Sequence, residues 1–311
     1  MPAAGCKFIA MGINRRILWG VVSVLVAGSI VVPGALAAPP THAKLNPGGA
    51  RDFWTPKRMR SAVPLDRPAD ELAAAERARR GSPPSFISEA VPDPNAQPYP
   101  AVGKVFFKID GGIFVCSAAI VDSPGRSLVW TAGHCVRDPG RRGQFASKWV
   151  FVPGYDQGSS PYGVWPAKVL WTNAGWVGKD QAFDYSAAIL RPKNGQRVQK
   201  AVGSSLSMDI NPAAKQDWQA VGFPAAGMFA DSMWHCLSGF YRRDNFPSAG
   251  PAPIGIGCNM TGGASGGPWI TEDGKLGAVT SYGYNSEPGA VYGTYLGTAA
   301  NKLYKKIRKK H

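Results

Sequence analysis

Residues Gly262-Gly263-Ala264-Ser265-Gly266-Gly267-Pro268 place a single serine among glycines, which can take backbone angles that other residues avoid. Such a segment can hold the Ser265 hydroxyl clear of the chain and turn the N–H groups of Gly263 and Ser265 toward one point. A tetrahedral oxyanion needs that convergence of donors. Alone, the segment also reads as a plain Gly-Ser turn, but two other stretches supply what a serine nucleophile lacks. Thr131-Ala132-Gly133-His134-Cys135 follows the apolar run Leu128-Val129-Trp130. A histidine, with an ordinary pKa of about 6.5, can take the serine proton as general base. Asp184 opens the run Tyr185-Ser186-Ala187-Ala188-Ile189-Leu190. A carboxylate at the head of a buried strand can hold an imidazole in one tautomer and stabilise its charged form. Asp180 and Asp138 are alternatives for the acid, though neither leads directly into an apolar strand. His235 is the rival base and has no comparable box around it.

The elements that must position these residues are strands. From Gly103 onward, short apolar runs alternate with Gly, Pro and Asp turns. Val105-Phe106-Phe107 leads through Asp110-Gly111-Gly112, a hairpin signal, into the run Ile113 to Val121. Further runs are Leu128 to His134, Trp149 to Val152, Val164 to Trp171, Tyr185 to Leu190, Trp218 to Phe223, Met233 to Tyr241 and Ile254 to Cys258. Pro268 to Thr271 and Leu276 to Tyr284 form a last hairpin around Glu272-Asp273-Gly274-Lys275. The pattern argues for an all-β sandwich or barrel pair, as do the 38 glycines and 27 prolines. One helix of length is expected, Thr298 to Lys310. There Leu303 and Ile307 sit four apart on one side while the lysines stay wet.

The chain opens differently. Arg15-Arg16 precede the uncharged run Ile17 to Val32, followed by Pro33-Gly34 and Ala35-Leu36-Ala37. This reads as a secretory signal peptide over residues 1–37, too short in its apolar part to span a bilayer. Residues 38–100 are proline-rich and lack regular alternation, with one short helical candidate, Ala69 to Arg80. They read as a largely irregular pro-segment or extended arm, with Arg79-Arg80 as a candidate cleavage point, ahead of a body spanning 101–311. Cys6 falls in the signal region, leaving Cys116, Cys135, Cys236 and Cys258, an even number suited to an oxidising compartment. Four cysteines allow three pairings. His134-Cys135 and His235-Cys236 could supply zinc ligands, but no C-x₂₋₄-C or H-x₃₋₅-H spacing accompanies them, so no metal is expected. The formal net charge of +15 owes a visible share to the tail Asn301 to His311. No nucleic-acid-reading motif accompanies that tail, and no nucleic-acid partner is expected.

With His134, Asp184 and Ser265 in that order, an Ala-Gly-His-Cys box and a Gly-x-Ser-Gly-Gly-Pro box, the chain resembles a chymotrypsin-fold, trypsin-like serine protease over residues 103–300. Ala264 stands where the animal digestive enzymes carry the aspartate of their activation switch, and the serine box, with Cys258 seven residues before Ser265, looks closer to secreted bacterial proteases of the glutamyl-endopeptidase-like branch. The resemblance implies an all-β fold of two six-stranded antiparallel barrels with a C-terminal helix, His134 and Asp184 on the first barrel and Ser265 on the second. It implies the disulfide Cys116–Cys135 and, with it, Cys236–Cys258. It implies a secreted, monomeric endopeptidase of protein or peptide substrates, without cofactor. Ser265 would be the nucleophile, with an oxyanion hole from Gly263 and Ser265. Asn259, Ser281 and Gly283 would bind substrate, Asn259 without the counter-charge a basic side chain would need. The rival reading is a catalytically silent homologue that serves as a secreted binding protein. An α/β-hydrolase reading fails, because no histidine follows Ser265 except terminal His311 and Pro268 blocks a helix there.

Overall fold

The hairpin signal at Asp110-Gly111 is realised as a two-residue turn. Both residues take left-handed backbone angles (φ 46° and 83°), the geometry whose twist matches the flanking strands. It joins β4 (Val102–Ile109) to β5 (Gly112–Ile120), paired antiparallel from Ile109↔Gly112 to Val102↔Ala119. This is a computed structural model, and it describes residues 41–46, 48–65, 82–138, 143–177, 180–225, 229, 231–245 and 247–311. The expected signal peptide, the helical candidate 69–80 and the Arg79-Arg80 site lie outside the described residues.

In chain order the strands are β1 (Thr41–Lys44), β2 (Val63–Pro64), β3 (Phe86–Ala90), β4, β5, β6 (Leu128–Thr131), β7 (Arg137–Asp138), β8 (Gln144–Phe145), β9 (Ser147–Pro153), β10 (Trp165–Thr172) and β11 (Ser186–Leu190). There follow β12 (Asp217–Gly222), β13 (Trp234–Arg243), β14 (Ile254–Gly257), β15 (Pro268–Ile270), β16 (Leu276–Tyr282) and β17 (Ala290–Tyr295). Six of them, in the order β10-β11-β6-β5-β4-β9, close on themselves through β9–β10. Another six, β12-β15-β16-β17-β14-β13, close through β12–β13. The fold is thus two closed six-stranded antiparallel barrels. Closure removes most of the open sheet edge that a six-stranded sheet would otherwise leave.

Both barrels are filled by large side chains. Trp130, Trp149, Trp165, Trp176, Trp218 and Trp269 are fully buried. The C-terminal helix, Thr298–Ile307, docks through Ala300, Leu303 and Ile307, all fully buried, while Lys302, Lys305 and Lys306 stay exposed. It ends three residues earlier than its charge pattern suggests, since the run to Lys310 offers no further apolar residue to bury.

The proline-rich segment before residue 102 contributes short strands despite its lack of alternation. β1 pairs with β10, and His42 stacks on Trp171 at 4.4 Å. Trp54 is buried, and its indole N–H donates to the Lys148 carbonyl. β2 runs parallel to β5, and β3 pairs with β13 on the other barrel. Proline lacks an N–H, which restricts it to outer strands and strand ends, and these additions are outer strands.

Candidate active site

The histidine box begins where β6 ends. Gly133 must be glycine: a Cβ there would come 2.7 Å from Asp184 Oδ1 and 2.7 Å from the ring of Trp176. The tight turn therefore delivers His134 onto the carboxylate at the head of β11, because β6 and β11 are neighbours (Ser186↔Thr131). Asp184 Oδ1 accepts the backbone N–H of His134 at 2.8 Å, and Oδ2 lies 2.8 Å from His134 Nδ1. Oδ2 also accepts the Ser281 hydroxyl at 2.5 Å. His134 and Asp184 are both buried, and the fully buried Trp176 packs beside the imidazole, its ring centroid 6.3 Å away. A carboxylate out of water and held by several donors is a rigid anchor, so the imidazole's Nδ1 is committed to it and Nε2 is the nitrogen left for chemistry.

Ser265 is brought to the same place from the second barrel. Its carbonyl accepts the Ser117 N–H at 2.7 Å and lies 3.7 Å from Cys135 Sγ, next to His134. Gly266 (φ 80°) packs so closely on Thr131, Ser117 and Ala132 that any Cβ would collide with them. His134 Nε2 is buried and has no hydrogen-bond partner among the described residues. Nucleophile–base bonds in such sites are often long until substrate binds. Gly263 takes φ 97°, a backbone setting costly for any side chain. The Gly262 carbonyl is held by the N–H of Ala225 at 2.8 Å. In a trans peptide the N–H lies opposite the carbonyl, so this bond turns the Gly263 N–H away from Ala225.

The disulfides are Cys116–Cys135 and Cys236–Cys258, closing sequence separations of 19 and 22. The first joins the strand carrying Ser117 to the histidine box. Its sulfurs and His134 lie within 4.8 Å of one another, but sulfurs bonded to each other offer no thiolate to a metal.

A cavity of about 610 Å³ opens beside Ser265. Asn259, Met260, Thr261, Ser281 and Gly283 are among its lining residues, and Leu65, from the proline-rich segment, closes part of it. Asn259 and Gly283 are exposed, whereas Ser281 is buried with its hydroxyl spent on Asp184. β16 pairs with β15 only as far as Pro268↔Val279 and carries an irregularity between Thr280 and Tyr282. Beyond that point its edge away from β17 has no strand partner among the described residues. Three of the cavity's lining residues, Tyr282, Tyr284 and Glu287, belong to a largely buried phenol–carboxylate cluster. Asp244 accepts the hydroxyls of Tyr282 (2.7 Å) and Tyr284 (2.5 Å), while Glu287 accepts that of Tyr292 (2.6 Å) and pairs with Arg242. Burial first, then the Asp244 charge, pushes the Tyr282 hydroxyl well above its ordinary 10.

The remaining candidates lie elsewhere. Asp180 accepts from Ala182 N–H and the Ser248 hydroxyl, stabilising a short turn. Asp138 sits in the small β7–β8 ribbon. Both ring nitrogens of His235 are engaged, by Gln219 at 2.8 Å and Glu89 at 3.3 Å. Sequence reasoning passed over Ser117, Trp176 and Ala225. Only Ser117 left a signal, a lone hydroxyl inside the apolar run Val115 to Ile120, where a buried polar group must find a partner.

The trypsin family model matches residues 91–305. Among solved structures, the chain is 41% identical to a thermostable serine protease, AL20, from an extremophilic microorganism (TM-score 0.62), covering 68% of this chain and 98% of that one. It is 34% identical to protease Anisep from Arthrobacter nicotinovorans (TM-score 0.64), covering 71% and 99%. A Glu endopeptidase shares the fold at 15% identity (TM-score 0.60), over 74% and 98%. No curated protein matches the chain.

Proposed function

The chain belongs to the trypsin family and is a serine-type endopeptidase, and from that premise we propose that it cleaves peptide bonds through His134, Asp184 and Ser265 with an acyl-enzyme intermediate. Ser265 Oγ attacks the scissile carbonyl as His134 Nε2 takes its proton. Asp184 holds Nδ1 and stabilises the imidazolium that results. The Gly263 and Ser265 N–H groups receive the oxyanion. His134 then returns the proton to the leaving amine, and a water repeats the sequence to release the acid. The observation that carries this reading is the buried His134–Asp184 pair, its imidazole fixed at Nδ1 and its Nε2 without a partner among the described residues, beside a glycine-wrapped serine.

Substrate binds as an added strand along the free edge Ser281–Gly283, through backbone groups, since the Ser281 hydroxyl is taken. Its primary side chain enters the cavity beside Asn259. Among the described residues that line it none is a lysine or arginine, and the carboxylate among them, Glu287, is already paired with Arg242. We read the protein as exported and monomeric, with residues 1–37 removed. Its two disulfides suit an oxidising compartment, and among the described residues no helix is long and apolar enough to cross a membrane. Residues 38–100 act as an arm laid on the body, with maturation near Arg79-Arg80.

The test is the intact mass of wild type and Ser265→Ala before and after a fluorophosphonate probe. Adduct on wild type alone is expected. A folded wild type that takes none would instead favour the silent-homologue reading, and the same spectra report the N-terminus.

A further inference from the structure

The loop that forms the oxyanion hole has no charged side chain of its own. Residues 262–267 are Gly, Gly, Ala, Ser, Gly and Gly, and the Ala264 side chain is buried. No ion pair can therefore hold it. Glycines at 262 and 263 make the two intervening peptide planes easy to rotate, and a rotated plane would aim a carbonyl, not an N–H, at a developing negative charge.

One buried hydroxyl meets this difficulty. Ser117, fully buried in β5, donates its Oγ–H to the Gly263 carbonyl at 2.9 Å. The same oxygen accepts the Phe223 N–H at 2.8 Å. Ser117 also uses its backbone in both directions: its N–H donates to the Ser265 carbonyl at 2.7 Å, and its carbonyl accepts the Thr131 hydroxyl at 2.8 Å. One residue thus ties the nucleophile's peptide, the oxyanion loop, the chain before that loop and the strand leading to His134. The disulfide at neighbouring Cys116 anchors it to Cys135. With the Gly262 carbonyl held by Ala225 and the Gly263 carbonyl held by Ser117, the plane that carries the Gly263 N–H and the next plane, which leads on to Ser265, are both pinned.

We propose that Ser117 is a positioning residue that locks the oxyanion loop, its hydroxyl fixing the Gly263–Ala264 peptide of a loop that carries no charged side chain. The inference rests on the proposed role of Gly263 and Ser265. Ser117 touches no reacting atom; its hydroxyl fixes the Gly263–Ala264 peptide, the link between the two peptides that carry the Gly263 and Ser265 N–H groups. Ser117→Ala leaves the Gly263 carbonyl and Phe223 N–H buried without their partner, so the loop gains freedom to rotate.

The experiment compares wild type, Ser117→Ala and the shape-matched pair Ser117→Thr and Ser117→Val, each normalised to folded protein by near-UV circular dichroism. The readouts are kcat and KM on a peptide amide, and inhibition by two ligands: a peptide trifluoromethyl ketone, which forms an oxyanion, and a substrate-like peptide that does not react. For Ser117→Ala the expected result is kcat lowered about 10- to 100-fold with KM within about twofold, against the 10²–10³ for deleting an oxyanion donor outright. Ketone affinity should fall with kcat while peptide affinity holds, and Thr should outperform Val by a similar factor. If Ser117→Ala does not fold, the Thr/Val difference decides alone. Ser117→Ala turning over at the wild-type rate, or losing peptide and ketone affinity equally, would overturn the proposal. A wild type that neither turns over nor takes the fluorophosphonate would instead indict the triad reading beneath it.

Discussion

Replacing Gly133 with alanine tests whether the His134–Asp184 geometry depends on the missing side chain. The new Cβ would lie 2.7 Å from Asp184 Oδ1 and 2.7 Å from Trp176 Cγ, about 0.7 Å inside the 3.4 Å at which ordinary contact begins. Trp176 cannot retreat: it is fully buried and its indole N–H is bonded to the Arg137 carbonyl at 2.6 Å. The displacement therefore falls on the carboxylate or on the histidine turn. A 0.7 Å shift stretches the 2.8 Å bond from His134 N–H to Oδ1 to about 3.5 Å, beyond useful hydrogen-bond range. Misplacement of that size costs about 10²-fold in rate, and the overpacking itself costs about 1–3 kcal/mol of stability. The assay is kcat and KM at pH 8, with thermal unfolding in parallel. Gly239→Ala is the control, since its Cβ would meet only Asp217 Oδ1 at 3.4 Å. Gly133→Ala with kcat within twofold of wild type and an unchanged Tm would refute the reasoning.

Asp184→Asn should lower kcat by about 10⁴, the loss seen for the equivalent change in a chymotrypsin-fold enzyme, whereas Asp180→Asn should change kcat little and shift mainly Tm; equal losses would contradict the assignment of the acid. Converting Cys236 and Cys258 together to serine should destabilise the fold by about 3 kcal/mol, read from urea midpoints, because the loop they close has a separation of 22. Midpoints unchanged from wild type would count against the bond. Stability should also fall at alkaline pH. Burial raises the hydroxyl pKa values of Tyr185 and Tyr282 above 10. Below pH 10 both states are protonated and their contribution is constant. Above it the unfolded chain loses protons the folded chain keeps, so stability falls by up to about 1.4 kcal/mol per pH unit for each group. Lys104, pushed below 10.5 by burial, works in the opposite sense, and only up to 10.5. Urea midpoints should therefore drop between pH 10.5 and 11.5, less steeply in Tyr282→Phe; flat midpoints would exclude this account.

Residue types and short spacing carried the serine, the histidine box and the strand-and-turn rhythm of the body. Each is a local demand: an oxyanion loop needs glycines around Ser265, and the Asp110-Gly111 turn needs two left-handed residues. The closed barrels and the pairing of four cysteines came from resemblance, because periodicity shows that strands exist without showing which ones meet. Which of three aspartates faces His134 depended on β6 and β11 lying side by side, a contact made across fifty residues. Pattern also did not show the short strands of the proline-rich arm, which exist because outer edges tolerate proline, nor that the folded chain spends the Ser281 hydroxyl on Asp184. The web around Ser117 reaches 146 residues along the chain to Gly263. Nothing local marks such a partner, since a buried hydroxyl takes whichever donor and acceptor the packed barrels bring to it.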